Sequence, residues 1–160
     1  MAGLLKGQRI YSAGACDVQK TQAILIIKVA VTLGTLVYGI VPAIADLNET
    51  HLYNPDWSPH ARVHGAWVLF FGLLMSFLAL FLLWVRNELA LSIIIGLCFV
   101  AGFWLAFLTS SLYGGALVDA NGVETRILGL ESNVFVFSVL GILFGASLYF
   151  VHRLSEEDGA

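Results

Sequence analysis

Long apolar stretches alternate with short polar connections along this chain, and the longest runs cover about 23–45, 63–85, 89–112 and 133–151. A helix needs about 20 mainly apolar residues to cross roughly 30 Å of hydrocarbon, and each stretch has that length. Arg86, Asn87 and Glu88 make a tight connection between the second and third runs. Two longer connections remain, 46–62 and 113–132. The pattern predicts an all-α fold, an integral membrane four-helix bundle forming a single domain over 1–160. An even number of crossings puts both termini on one side.

Composition agrees with this pattern. Of 160 residues, 59% are hydrophobic and 12% charged, about half the charged share of an ordinary soluble domain. The net charge of -3 offers no basic face, so nucleic acid is not expected as a partner. Lys6, Arg9 and Lys20 precede the first span, Arg86 lies in the short turn and Arg153 follows the last span, whereas the long loops hold only Arg62 and Arg126. Basic residues favour the cytoplasmic side. The expected location is therefore the cell inner membrane with both termini cytoplasmic. Lys28, near the start of the first span, is expected to snorkel to that same interface.

Cys16 and Cys98 have neither a metal nor a redox spacing, and no disulfide framework is expected. Residues 1–22 lack the apolar core of a removable signal peptide. Gly141 and Gly145, with Ser138 on the same side, form a small-xxx-small face suited to helix packing or a homo-oligomer.

Polar chemistry concentrates between Asp46 and His64. Three of the four histidines (His51, His60 and His64) fall here with Asp46, Glu49 and Asp56. Loops this long in compact proteins are functional or disordered, and Tyr53 and Trp57 supply interfacial anchors. Ser58 is a good N-cap and Pro59 suits the first helical position. The second helix should then stand proud of the hydrocarbon, with its first two turns in the headgroup layer or a vestibule.

His60 and His64 are four apart, one above the other on a helical face that Trp67 and Phe71 continue. Two readings compete. In one, both imidazoles and Arg62 bond loop carbonyls or carboxylates and fix the loop. In the other, a neutral imidazole ligates a metal or a haem iron, with His64 favoured because the adjacent Gly65 leaves room for a flat macrocycle. A zinc ion would need a third ligand, for which Asp56, Glu49 and His51 are the candidates.

Hydroxyls within or beside the spans (Tyr38, Ser76, Ser92, Thr109, Ser110, Ser111) are expected to bond back along their helix or to a neighbour. Tyr113 ends the third span on the side of the histidine-rich loop, where it is a candidate for the same vestibule. Asn121-Gly122 reads as a tight turn. Asp119, Glu124, Arg126 and Glu131 are mostly solvated charges, with Arg126 or Glu131 a candidate partner for the first loop. Neither a nucleophile–His–acid arrangement nor a phosphate loop is present.

Trp57, then Ala61-Arg62-Val63-His64 at the start of the second span, and Gly102-Phe103-Trp104-Leu105 on the third give the sequence a resemblance. It resembles the styrene oxide isomerases, four-helix membrane enzymes that bind haem b at the contacts of a homotrimer. The resemblance implies that His64 is the axial ligand, with Arg62, Gly65 and Trp67 beside the cofactor. It also implies that the iron acts as a Lewis acid toward an epoxide oxygen. Phe70 stands where that family has a functional Asn, and Trp104 where it has a functional Tyr.

The leading expectation is thus a haem-dependent membrane isomerase for a small lipophilic substrate, with Tyr113, Trp104, Asp56 and His60 as catalytic candidates. A cofactor-free isomerase or cyclase using loop carboxylates and histidine is the alternative. A non-catalytic accessory subunit, docked on a larger membrane partner, is a third.

Overall fold

Four helices long and apolar enough to cross a membrane form the computed structural model. It describes residues 2–118 and 121–159, with side chains described for 18–118 and 121–157. Lys6, Arg9 and Cys16 lie outside the described side chains, and Asp119 outside the described residues.

α1 covers Ala2–Ala45, α2 Pro59–Trp84, α3 Leu89–Thr109 and α4 Ser132–Gly159. A 3-10 turn, Ser110–Leu112, extends α3. Each helix packs on the next and α4 closes back on α1, with α1 and α3 touching across the middle. The expected four-helix bundle is what the chain forms, and its four apolar helices make it an integral membrane protein.

The start of α2 follows the local sequence. Ser58 Oγ accepts from the Ala61 N–H at 3.2 Å and Pro59 occupies the first turn. At the far end, Asn87 takes a left-handed φ of 55°, which Asn tolerates better than most side chains. That conformation lets the four residues 85–88 reverse the chain into α3. Lys28 Nζ donates to Asn87 Oδ1 at 2.6 Å and lies 5.1 Å from the Trp84 ring centre. Trp84 Nε1 donates in turn to Thr32 Oγ1 at 2.9 Å. Lys28 is therefore an interfacial clamp at the end of the bundle that carries Arg86.

The core is built around Phe144, which is fully buried. A Cβ on Gly34 of α1 would stand 2.8 Å from the ring, and one on Gly96 of α3 would stand 2.7–2.9 Å from three ring atoms. Both positions need the absence of a side chain, so two glycines on different helices form the slot for one phenyl ring. Val31, Leu83 and Ile93 fill in around it. The expected Gly141/Gly145 face has a smaller role within the chain. Gly141 meets Val100, while nothing lies within 4 Å of a Cβ on Gly145.

Hydroxyls along the spans divide into two groups. Those of Ser76, Thr109 and Ser138 bond back to carbonyls four residues earlier, as expected. Thr35 Oγ1, the Tyr38 hydroxyl and Ser92 Oγ are buried and make no well-formed hydrogen bond among the described residues, although the Tyr38 hydroxyl is turned toward Thr35 and Ser76. Tyr38 instead lies by its ring, stacked on Phe99 at 4.5 Å.

In the second long loop, Asn121 Oδ1 accepts from the Val123 N–H and Gly122 has a φ of 78°, so the expected turn is present. A two-residue ladder pairs Arg126–Ile127 with Leu130–Glu131 across Leu128 and Gly129, both at positive φ. Neither charge here reaches the first loop. Arg126 pairs with Glu124 at 3.0 Å, and Glu131 Oε2 accepts from the Val134 N–H at the start of α4. Cys98 is a free, exposed thiol.

Candidate functional site

The first long loop is a folded object with Asn54 at its centre. Asn54 is buried; its Oδ1 accepts from the Asp56 N–H, and its carbonyl accepts from Trp57 N–H and Arg62 Nη2. Arg62 thus turns back from α2 to hold the loop, with a further contact to the Pro55 carbonyl at 3.4 Å. For Arg62 the contacts made are those of the loop-fixing reading, with Nη2 on the Asn54 and Pro55 carbonyls. Asn48 organises the first half, with Oδ1 accepting from the backbone N–H groups of Thr50 and His51. No sequence signal beyond an Asn-Pro step marked Asn54 as the hub.

Trp57 closes over Gly65. A Cβ on Gly65 would lie 3.0 Å from the indole and 3.4 Å from Leu52. The room expected beside His64 is therefore occupied by the protein's own tryptophan, because the loop folds back onto α2. Beneath the loop lies a cavity of about 660 Å³. Leu52, Trp57, Val68 and Leu69 supply apolar wall, and Asp46, His51, Asp56, Ser58 and His64 bring polar groups to it. His51 is oriented from both sides: Nδ1 is 2.8 Å from Thr50 Oγ1 and Nε2 is 3.9 Å from Asp46 Oδ1.

His60 and His64 meet as the helical spacing predicted. Their Nε2 atoms are 3.1 Å apart and the rings are nearly perpendicular at 82°. In such a contact one ring donates its N–H and the other accepts. His64 lines the cavity; His60 does not, although it touches His64. Trp67 lies 6.0 Å from the His64 ring and is 64% exposed on the outer face of α2.

Other candidates stand elsewhere. Glu49 is exposed and is not part of the cavity wall. Tyr113 lines a different cavity of about 530 Å³ with Phe107, Glu124 and Glu131, and its hydroxyl donates to the Ala106 carbonyl. It does not share the vestibule, because the chain turns at Ser110–Leu112 toward α4. Trp104 is partly buried against the core and between the edges of Phe103 and Phe107. The wall around the histidines does not include it.

Metal binding can be tested on this donor set. Among the described residues no three His, Cys, Asp or Glu side chains come together as ligands. The third zinc ligand sought in Asp56, Glu49 or His51 is thus not brought to the His60–His64 pair. A haem asks for less, a single imidazole and an apolar flank. The residues fit that need only on the outer face of α2, where His64 and Trp67 are both exposed. They do not fit it over Gly65, and His60 would have to release the His64 Nε2.

Fold and site together define a small four-helix membrane protein with a polar-ended apolar cavity. Residues 30–143 match DUF6640, a family of unknown function, and the chain belongs to that family. The match runs from the latter part of α1 through the histidine-rich loop, α2 and α3 to the middle of α4. No curated protein and no solved structure matches the chain significantly.

Proposed function

We propose that this protein is a membrane-embedded isomerase or cyclase of a lipophilic substrate, using imidazole and carboxylate groups as acid and base. The observation that carries the proposal is the 660 Å³ cavity, apolar along much of its wall and reached by Asp46, His51, Asp56 and His64. Isomerisation needs a proton delivered at one atom and removed at another, with no second substrate. An apolar wall suits such a reaction because it keeps water from a developing cation. Asp56 and His64 are the proposed proton-transfer pair. His60 holds the second ring nitrogen and fixes the tautomer of its neighbour.

The exposure of His64 and Trp67 on the outer face of α2 favours a second reading. There His64 holds haem b at a contact between copies, as in the styrene oxide isomerases that the sequence resembles. The bound iron would supply Lewis-acid chemistry toward an epoxide oxygen, with Trp67 as a flanking wall. The basic residues clustered with Arg86 and Lys28 support cytoplasmic termini in the inner membrane, which leaves the cavity at the opposite face.

The test pairs a spectrum with turnover. Wild type, Asp56→Asn and His64→Ala are purified in detergent and incubated with a panel of lipophilic epoxides and alkenes. Colourless wild-type protein whose rate falls about 10²–10⁴-fold in Asp56→Asn supports acid–base catalysis. A Soret band that disappears in His64→Ala moves the assignment to haem. Turnover unchanged in both variants, or copurification with a larger membrane partner and no turnover, refutes both.

A further inference from the structure

The cavity under the loop has a neighbour along α2. A second recess of about 570 Å³ runs along the outer side of α2 and α3. Val68 lines both recesses, so the groove begins beside the polar-ended cavity. Its walls include Phe71 and Met75 of α2 and Cys98 and Phe103 of α3, with no charged side chain among the lining residues. His64, Val68, Phe71 and Met75 recur at helical spacing on one side of α2. From His64 to Met75 the helix rises about 16 Å, so the groove descends well into the hydrocarbon.

Two details make the groove a built recess. Gly102 forms part of its floor, and a Cβ there would meet nothing within 4 Å. Phe99 forms the back wall, fixed between Gly72, whose Cβ position lies 3.3 Å from the ring, and the stacked Tyr38. The floor is open where the back is rigid.

We infer that the substrate of this site is a single-chain amphiphile, with its polar head among Asp56 and His64 and its apolar tail in the α2–α3 groove. The inference rests on the function proposed above and adds the substrate class to it. Polar groups gather at the membrane face, apolar walls lead from them toward the bilayer centre, and a membrane amphiphile is ordered the same way. Such a molecule reaches the groove sideways from the bilayer, with no need to leave it.

The experiment uses the full chain in phosphatidylcholine nanodiscs and two photoreactive long-chain alcohols, one with its diazirine near the hydroxyl and one near the far end. The far-end probe is expected to label peptides around Met75 and Cys98, and the near-head probe those around Trp57 and Val68. Gly102→Trp fills the open floor and should lower far-end labelling by about tenfold, the equivalent of losing about two buried CH₂ groups. Ile142→Trp, on an exposed position of α4, should leave it unchanged. A matching gel-filtration profile shows that Gly102→Trp is folded; if it is not, Cys98→Phe blocks the same groove. Labelling spread evenly over the outer faces of all four helices, or unaffected by either block, overturns the inference. Labelling needs no turnover, so it stands apart from the catalytic proposal. Where turnover is found, Gly102→Trp should raise KM for long-chain substrates only, whereas Asp56→Asn should lower kcat at every chain length.

Discussion

Replacing Gly96 by alanine sets a favourable local effect against an unfavourable packing one. Alanine is better than glycine within a helix by about 1 kcal/mol. Against that, the new Cβ would lie 2.7–2.9 Å from three atoms of the Phe144 ring. The ring has little freedom to retreat, because Gly34 confines it from α1 at a comparable distance. Overpacking of this kind costs about 1–3 kcal/mol, and the upper half of that range applies where the neighbour is rigid. The net expectation is a loss of about 1–2 kcal/mol, or about 2–8 °C in Tm for a chain of this size. Tryptophan fluorescence and gel filtration after stepped heating in detergent measure it. Gly102→Ala is the matched control, since it gains the same helical preference with nothing to strike. Phe144→Leu should shrink the penalty in the double mutant. A Gly96→Ala protein that melts with Gly102→Ala, or whose loss is unaffected by Phe144→Leu, would refute the wedge.

Three further outcomes are expected. Arg62→Ala removes the donor that holds the Asn54 and Pro55 carbonyls, so hydrogen exchange over 46–58 should rise, with a stability loss of about 1–3 kcal/mol. Thr35→Val removes a buried hydroxyl that makes no well-formed hydrogen bond and lies toward the Tyr38 hydroxyl, and should change Tm by no more than the equivalent of about 1 kcal/mol. Tyr113→Phe loses only the hydrogen bond to Ala106; turnover should stay within about twofold, well short of the effect of removing a general acid.

The four spans were legible because bilayer thickness imposes a length that apolar runs reveal directly. The Ser58–Pro59 start of α2 and the meeting of His60 with His64 were also legible, since both are local geometry. Loop architecture was not. Asn54 and Arg62 are eight residues apart and meet because the chain reverses at Pro55–Ser58, which no hydrophobic period encodes. Trp57 looked like an interfacial anchor, but its landing on Gly65 depends on where that reversal ends. Gly141 and Gly145 fit a known spacing, whereas Gly34 and Gly96, on separate helices, share no spacing and are joined only by Phe144.

The two ends of the bundle are mechanically unequal. Lys28, Trp84, Thr32 and Asn87 tie α1, α2 and the tight turn together at one end, and the histidine end is spanned by long loops. α2 has 26 residues, giving a lever of about 39 Å from the tied end to Pro59. A tilt of about 3° about that pivot carries the mouth of the cavity by about 2 Å, while the packing around Lys28 barely changes. The amplitude is set by leverage, so any tilt about the tied end is felt most at the cavity mouth.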